Sequence, residues 1–193
     1  MISGARSAVA GVLLTGISSG VFPADDWNLK TLMSEMAQVP ASRTRFVETR
    51  HIALLTRPLE LKGSLSYERP NRLSKHVQSP FDELLTVDGD TLTLANTKKV
   101  TTLSLREQPG VGALVESVRA TLAGDLAQLE RHYRVQFSGH RAAWRLQLVP
   151  RDAQVKGAVD SIVLAGAAAR LKRIEIAETG GDRSVMTILH DGK

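Results

Sequence analysis

From Leu59 to Tyr67 the chain alternates. Leu59, Leu61, Gly63, Leu65 and Tyr67 take the odd positions, and Glu60, Lys62, Ser64, Ser66 and Glu68 the even ones. That two-residue period predicts a strand with one dry and one wet face. Arg69 has the parity of the dry face, and Pro70 then ends the ladder because it has no N–H to donate. A second extended run, Arg72 to Ser79, follows at once. A guanidinium is therefore aimed where the pattern asks for a hydrophobe.

Upstream, Leu29, Leu32, Met33, Met36 and Val39 fall at helical spacing, predicting a helix over Trp27 to Val39 that Pro40 stops. Arg43 to Arg57 is extended by composition, being rich in Thr, Val, Ile and Phe. Its alternation is poor, because Phe46, Ile52 and Leu54 share a parity with Glu48 and Arg50. Downstream, Asp82 to Val87 and Thr91 to Asn96 flank Asp88-Gly89-Asp90, a hairpin signal, and Val100 to Leu105 continues the meander. The period changes after Pro109-Gly110. Val111, Leu114, Val115, Val118 and Leu122 form a helical stripe of about three turns, and Leu126 and Leu129 a short second helix. Extended runs return from Tyr133 to Phe137 and around Trp144, Leu146 and Leu148. A polar loop from Pro150 to about Gly157 follows, and then runs at Asp160 to Leu164, Leu171 to Glu178 and Ser184 to His190.

The expected fold is α+β and mainly antiparallel β: about eleven strands in a curved half-barrel, with two or three helices covering the concave apolar face. No second composition regime or repeat divides the chain, so residues 25–193 are read as a single domain. Met1 to Arg6 carries one positive charge, and Ser7 to Phe22 is uncharged and rich in Ala, Val, Leu and Gly, with Asp25-Asp26 after it. Residues 1–24 thus read as a secretory signal peptide cleaved after Gly20 or Ala24, too short to favour a membrane-spanning helix. An uncleaved anchor and a buried N-terminal strand are the other readings of that run.

Of the 193 residues 42% are hydrophobic, which makes this a globular chain. Aromatics are only 4%, which argues against a base-stacking nucleic-acid platform. The net charge of +5 comes from scattered basic residues, read first as a soluble basic surface and second as a site for anionic partners such as phospholipid headgroups. With no cysteine, disulfides, thiolate metal sites and cysteine nucleophiles are excluded.

Motifs that carry chemistry are missing. No two of His51, His76, His132, His140 and His190 stand four residues apart. Gly110-Val111-Gly112 opens a helix but lacks the third glycine of a dinucleotide fingerprint, and it lies in a meander instead of a βαβ unit. No phosphate loop or Gly-x-Ser-x-Gly elbow is present in the mature region, and no cofactor, metal or catalytic residue is expected. Arg69 has two readings. It snorkels to the rim or pairs with Glu68 or Glu83, or it sits in an apolar cavity. In a cavity it would grip a polar part of the cargo or bond backbone carbonyls that keep a lid shut.

With Arg69-Pro70-Asn71 after an alternating strand, and Leu84-Leu85-Thr86-Val87-Asp88-Gly89-Asp90-Thr91-Leu92 about seventeen residues later, the chain resembles the periplasmic outer-membrane lipoprotein carriers of LolA type. The order signal, helix, strands, helices, strands extends the resemblance from Trp27 onward. It implies an incomplete, strongly curved barrel closed by helices, a cavity for the acyl chains of a lipoprotein, and a role for Arg69 in lid contact and cargo handover. It also implies an inner-membrane donor and an outer-membrane acceptor. The wall after the Asp-Gly hairpin is aliphatic here (Thr91, Leu92, Thr93, Leu94).

The reading that follows is a periplasmic, monomeric carrier, and not an enzyme, that shields an acyl chain from water at about 0.8 kcal/mol per methylene. Arg69, Leu59, Leu61, Leu65, Leu73, Leu92 and Leu94 are its expected cavity residues, and Leu32, Met36, Leu114 and Val118 its expected lid. A cell-envelope structural or interaction protein with a filled core is the alternative. An enzyme acting on a lipid-like substrate is the third reading.

Overall fold

The computed structural model describes residues 27–190; the expected signal peptide lies outside them. Helix α1 (Leu29–Ala37) starts at Asn28, whose Oδ1 accepts from the backbone N–H of Lys30 and Thr31 at 3.0 and 3.2 Å. It buries Leu32, Met33 and Met36. Six strands follow in order: β1 (Ala41–His51), β2 (Leu59–Glu68), β3 (Arg72–Ser79), β4 (Glu83–Asp88), β5 (Thr91–Asn96) and β6 (Val100–Ser104). Next come a 3-10 turn, α2 (Pro109–Ala123) and α3 (Leu126–His132), then β7 (Tyr133–His140) and β8 (Ala143–Pro150). A single-turn helix α4 (Ala153–Lys156) precedes β9 (Val159–Ala167), β10 (Arg170–Glu178) and β11 (Arg183–Leu189).

The eleven strands form one antiparallel sheet in the order β6-β5-β4-β3-β2-β1-β11-β10-β9-β8-β7. Every neighbour is sequential except β1 with β11, which joins the two blocks into a continuous wall. The two free edges, β6 and β7, are bridged in sequence by the 3-10 turn, α2 and α3. The helices therefore lie across the open side of the curve, as the α+β half-barrel reading requires.

Two segments differ from the sequence expectation. The run Arg43 to Arg57 is not one strand: β1 ends at His51, and residues 52–58 form an exposed turn. The loop after Pro150 contains α4, capped by Asp152, whose Oδ1 accepts from Gln154 N at 2.7 Å.

The register gathers the core on one face. Phe46 stands opposite Gly63 and Ile188, Leu65 opposite Thr44 and Lys75, Leu73 opposite Val87, and Leu146 opposite Leu164. Gly63 is required by crowding: a Cβ there would lie 1.8 Å from the His76 carbonyl oxygen of β3 and 3.1 Å from the Phe46 ring. Trp144, Tyr67, Tyr133 and Phe46 are among the largest fully buried side chains, so much of the concavity is filled by side chains. Among the described residues no buried side-chain nitrogen or oxygen lacks a hydrogen-bond partner.

Candidate functional site

One end of the concavity stays open. β1 pairs with β2 from Ala41 onward, but its last pair with β11 is Arg45 with Leu189. Residues 41–44 thus have a strand on one side only, and beside them lies a cavity of about 640 Å³, within the size range of ligand sites. Met36, Val39, Leu65, Tyr67, Leu122, Leu171 and Ile188 supply its apolar lining. They come from α1, α2 and both halves of the sheet. Its polar lining is Glu35, Ser42, Arg43, Thr44, Arg141, Arg170 and His190. The β9–β10 turn at its border is held in place: Ala168 has φ of 46° and its carbonyl accepts from Trp144 Nε1 at 2.8 Å.

The roof of this cavity is the meeting point of two helix ends. Gly124 caps α2 with φ of 71°, the left-handed conformation glycine adopts freely. A Cβ at Gly124 would lie 2.1 Å from the Met33 carbonyl oxygen and 2.7 Å from Ala37 N, so only glycine lets α2 come this close to α1. Arg69 spans both ends. Its Nη1 donates to the carbonyl of Ala37, the last residue of α1, and to that of Ala123, the last residue of α2, at 3.4 Å. These are carbonyls that a helix cannot satisfy internally, at the negative ends of two helix dipoles. A cation placed there ties the helices to the end of β2, whose backbone is itself fixed by the Arg69 N–H to Pro40 O bond of 3.0 Å.

At the other end of β1 the concave face carries charge. Glu48 is 2% exposed. Its Oε1 accepts from Ser184 Oγ at 2.6 Å and from Arg50 Nε at 2.8 Å, and its Oε2 from the Lys75 ammonium. Lys75 also stands over the Phe46 ring, 5.2 Å from its centroid. Burial disfavours the carboxylate, but the charge and hydrogen bonds of Lys75, the Ser184 hydroxyl and Arg50 together outweigh it and hold Glu48 below the ordinary carboxylate range. Burial pulls Lys75 below the ordinary lysine range, and Glu48 opposes this.

The family model described as outer membrane lipoprotein carrier protein LolA-like matches residues 23–191. The chain belongs to this LolA-like family. The LolA-like chain is also similar to a solved LolA superfamily protein from Nitrosomonas europaea, at 12% identity and TM-score 0.45, with 85% of this chain and 93% of that one covered. It is similar to LprF from Mycobacterium bovis at 12% identity and TM-score 0.36, covering 83% and 89%. The Pseudomonas aeruginosa MucA/MucB complex matches at 10% identity and TM-score 0.42, covering 86% and 58%. No curated protein matches.

Within this LolA-like fold the residues read from the sequence scatter. Leu65 and Met36 line the cavity. Leu61, Leu73 and Leu92 are 1–5% exposed in the packed core, with Leu59 and Leu94 partly buried against it, and none of the five lines the cavity. Leu32 is buried beneath α1. Leu114 and Val118 are half-buried on α2, in one row with Leu122, which does reach the cavity. Arg69 is exposed and outside the cavity lining, because β2 ends at Glu68 and strand parity no longer sets its direction. It bonds the two helix ends instead of standing inside. Sequence reasoning missed Tyr67, Leu122, Leu171 and Ile188 as lining, and Glu48 and Lys75 as an inner ion pair. The same-parity series Phe46, Glu48, Arg50 was the signal for the pair.

Proposed function

We propose that this LolA-like protein is a periplasmic carrier. It holds an acyl chain of a lipoprotein or another amphiphile in the cavity beneath α1 and α2, and releases it when those helices part. The observation that supports this best is the latch. The helix ends that roof the cavity are joined by the guanidinium of Arg69, which makes no part of the cavity wall. Breaking the bonds of one side chain would loosen the roof without unpacking the core, as handover to a competing partner demands. No covalent chemistry is needed. Burial of the chain at about 0.8 kcal/mol per methylene drives uptake. Export through residues 1–24, action as a monomer, receipt from an inner-membrane donor and delivery to an outer-membrane acceptor complete the reading.

The filled part of the concavity favours the second reading, a cell-envelope interaction protein of the same fold that holds no cargo. Native mass spectrometry of protein purified from the periplasm distinguishes them. The carrier reading expects a fraction with one extra mass of an acyl lipid, removed by organic extraction. A single empty species, together with no uptake of added amphiphile, supports the second reading instead.

A further inference from the structure

The cavity is bordered by more positive than negative charge. Arg43, Arg141 and Arg170 belong to its lining, against the single carboxylate of Glu35. Glu35 is already engaged: its Oε1 accepts from Arg141 Nε at 2.9 Å and from Trp27 Nε1 at 3.2 Å. The His190 ring is bonded to the Leu171 carbonyl at 2.7 Å. Arg43 and Arg170, among the described residues, make no side-chain hydrogen bond or ion pair. They flank the place where β11 ends, one on β1 and the other opening β10. Behind them the lining is apolar: Met36, Leu65, Leu171 and Ile188. Two arginines on the border of an apolar slot suit an amphiphile with an anionic head. The size points the same way. A cavity of about 640 Å³ falls in the middle of the range that takes one drug-sized ligand. That is room on the order of one chain with its head.

We infer that the preferred cargo of this cavity is a single-chain anionic amphiphile, its carboxylate or phosphate held between Arg43 and Arg170 and its chain lying along Met36, Leu65, Leu171 and Ile188. The inference rests on the carrier reading and narrows it.

The test is displacement of an uncharged naphthylamine fluorophore from delipidated mature protein. Competitors share a sixteen-carbon chain and differ in head: hexadecanoate, hexadecyl phosphate, uncharged hexadecanoylglycerol and cationic hexadecyltrimethylammonium. Acetate and inorganic phosphate serve as heads without chains. The two anionic chains are expected to compete at concentrations about tenfold below the uncharged one at low salt, the advantage shrinking as salt screens an exposed site. The lone heads are expected not to compete. In the Arg43→Gln/Arg170→Gln protein the ratio of anionic to uncharged competition is expected to fall to about one, whatever that protein's own affinity for the fluorophore. Both residues are exposed, so folding is retained, which circular dichroism checks. Equal competition by anionic and uncharged chains, preference for the cationic chain, or an advantage that survives in the double variant would overturn the inference and leave the carrier reading standing. Failure of the wild type to bind the fluorophore or any chain overturns both. Competition by the lone heads shows an anion site separate from chain binding, and overturns the inference too.

Discussion

Glu48→Leu is expected to destabilise the protein by about 3–5 kcal/mol, because it leaves the Lys75 ammonium buried without its counter-charge. Lys75 has 16% of its side chain exposed, too little for water to take over from the carboxylate. For a chain of this length the loss corresponds to a fall in melting temperature of about ten degrees or more. Glu48→Leu/Lys75→Met is expected to recover most of it, since it removes both charges and leaves apolar chains of similar volume beside Phe46, Leu61 and Leu65. The Ser184 hydroxyl then loses its acceptor, and Arg50, half-exposed, turns to water. A double variant as unstable as Glu48→Leu would show that the pair does not act as a unit. pH gives an independent check. The folded-state value of Glu48 lies below the ordinary 4.5, so its stabilisation is complete above that value and is lost as pH falls through the folded value. The wild type should therefore lose more stability on acidification than the double variant.

Arg69→Leu is expected to act on release and barely on folding. Arg69 is exposed, and its bonds to the Ala37 and Ala123 carbonyls hold two helix ends without filling any core volume. Losing charged bonds at an exposed site weakens the closed roof by about 1 kcal/mol, a roughly fivefold rise in the open population. Stopped-flow release of a bound fluorescent fatty acid to acceptor vesicles should thus speed up about fivefold, with thermal unfolding shifted by only a few degrees. Arg69→Lys should fall between the two, because lysine keeps the charge but carries it as a more strongly hydrated ammonium on a flexible stem. Release at the wild-type rate would reduce Arg69 to a cap on two helices.

Much of the architecture was legible because alternation and helical spacing are local properties of the chain. The hairpins, the eleven extended runs and the helical pair all announced themselves in stretches of ten to fifteen residues. β1 was drawn too long because Ile52, Leu54 and Leu55 are apolar, although Leu54 is 94% exposed at the turn. The cavity was harder to read, for it depends on where β11 stops relative to β1, and pairing register is not local. Leu61, Leu73 and Leu92 face inward as their parity requires, but facing inward does not tell a core position from a cavity wall. Arg69 was singled out by a parity that ends with its strand. Its partners are backbone carbonyls, which leave no mark in side-chain sequence. Glu48 and Lys75 broke the alternation in two separate strands, and only the register shows that the breaks compensate each other.

The central claim, that an acyl chain enters the cavity beneath the two helix ends, can be read from intrinsic fluorescence. Trp144 bonds to Ala168 and Trp27 to Glu35, and both of those partners line the cavity. Titration with hexadecanoate brominated at mid-chain is predicted to quench this fluorescence, saturating at one chain per protein, while unbrominated hexadecanoate binds without quenching. Binding of the brominated chain with no loss of tryptophan emission would place the chain elsewhere and contradict the account.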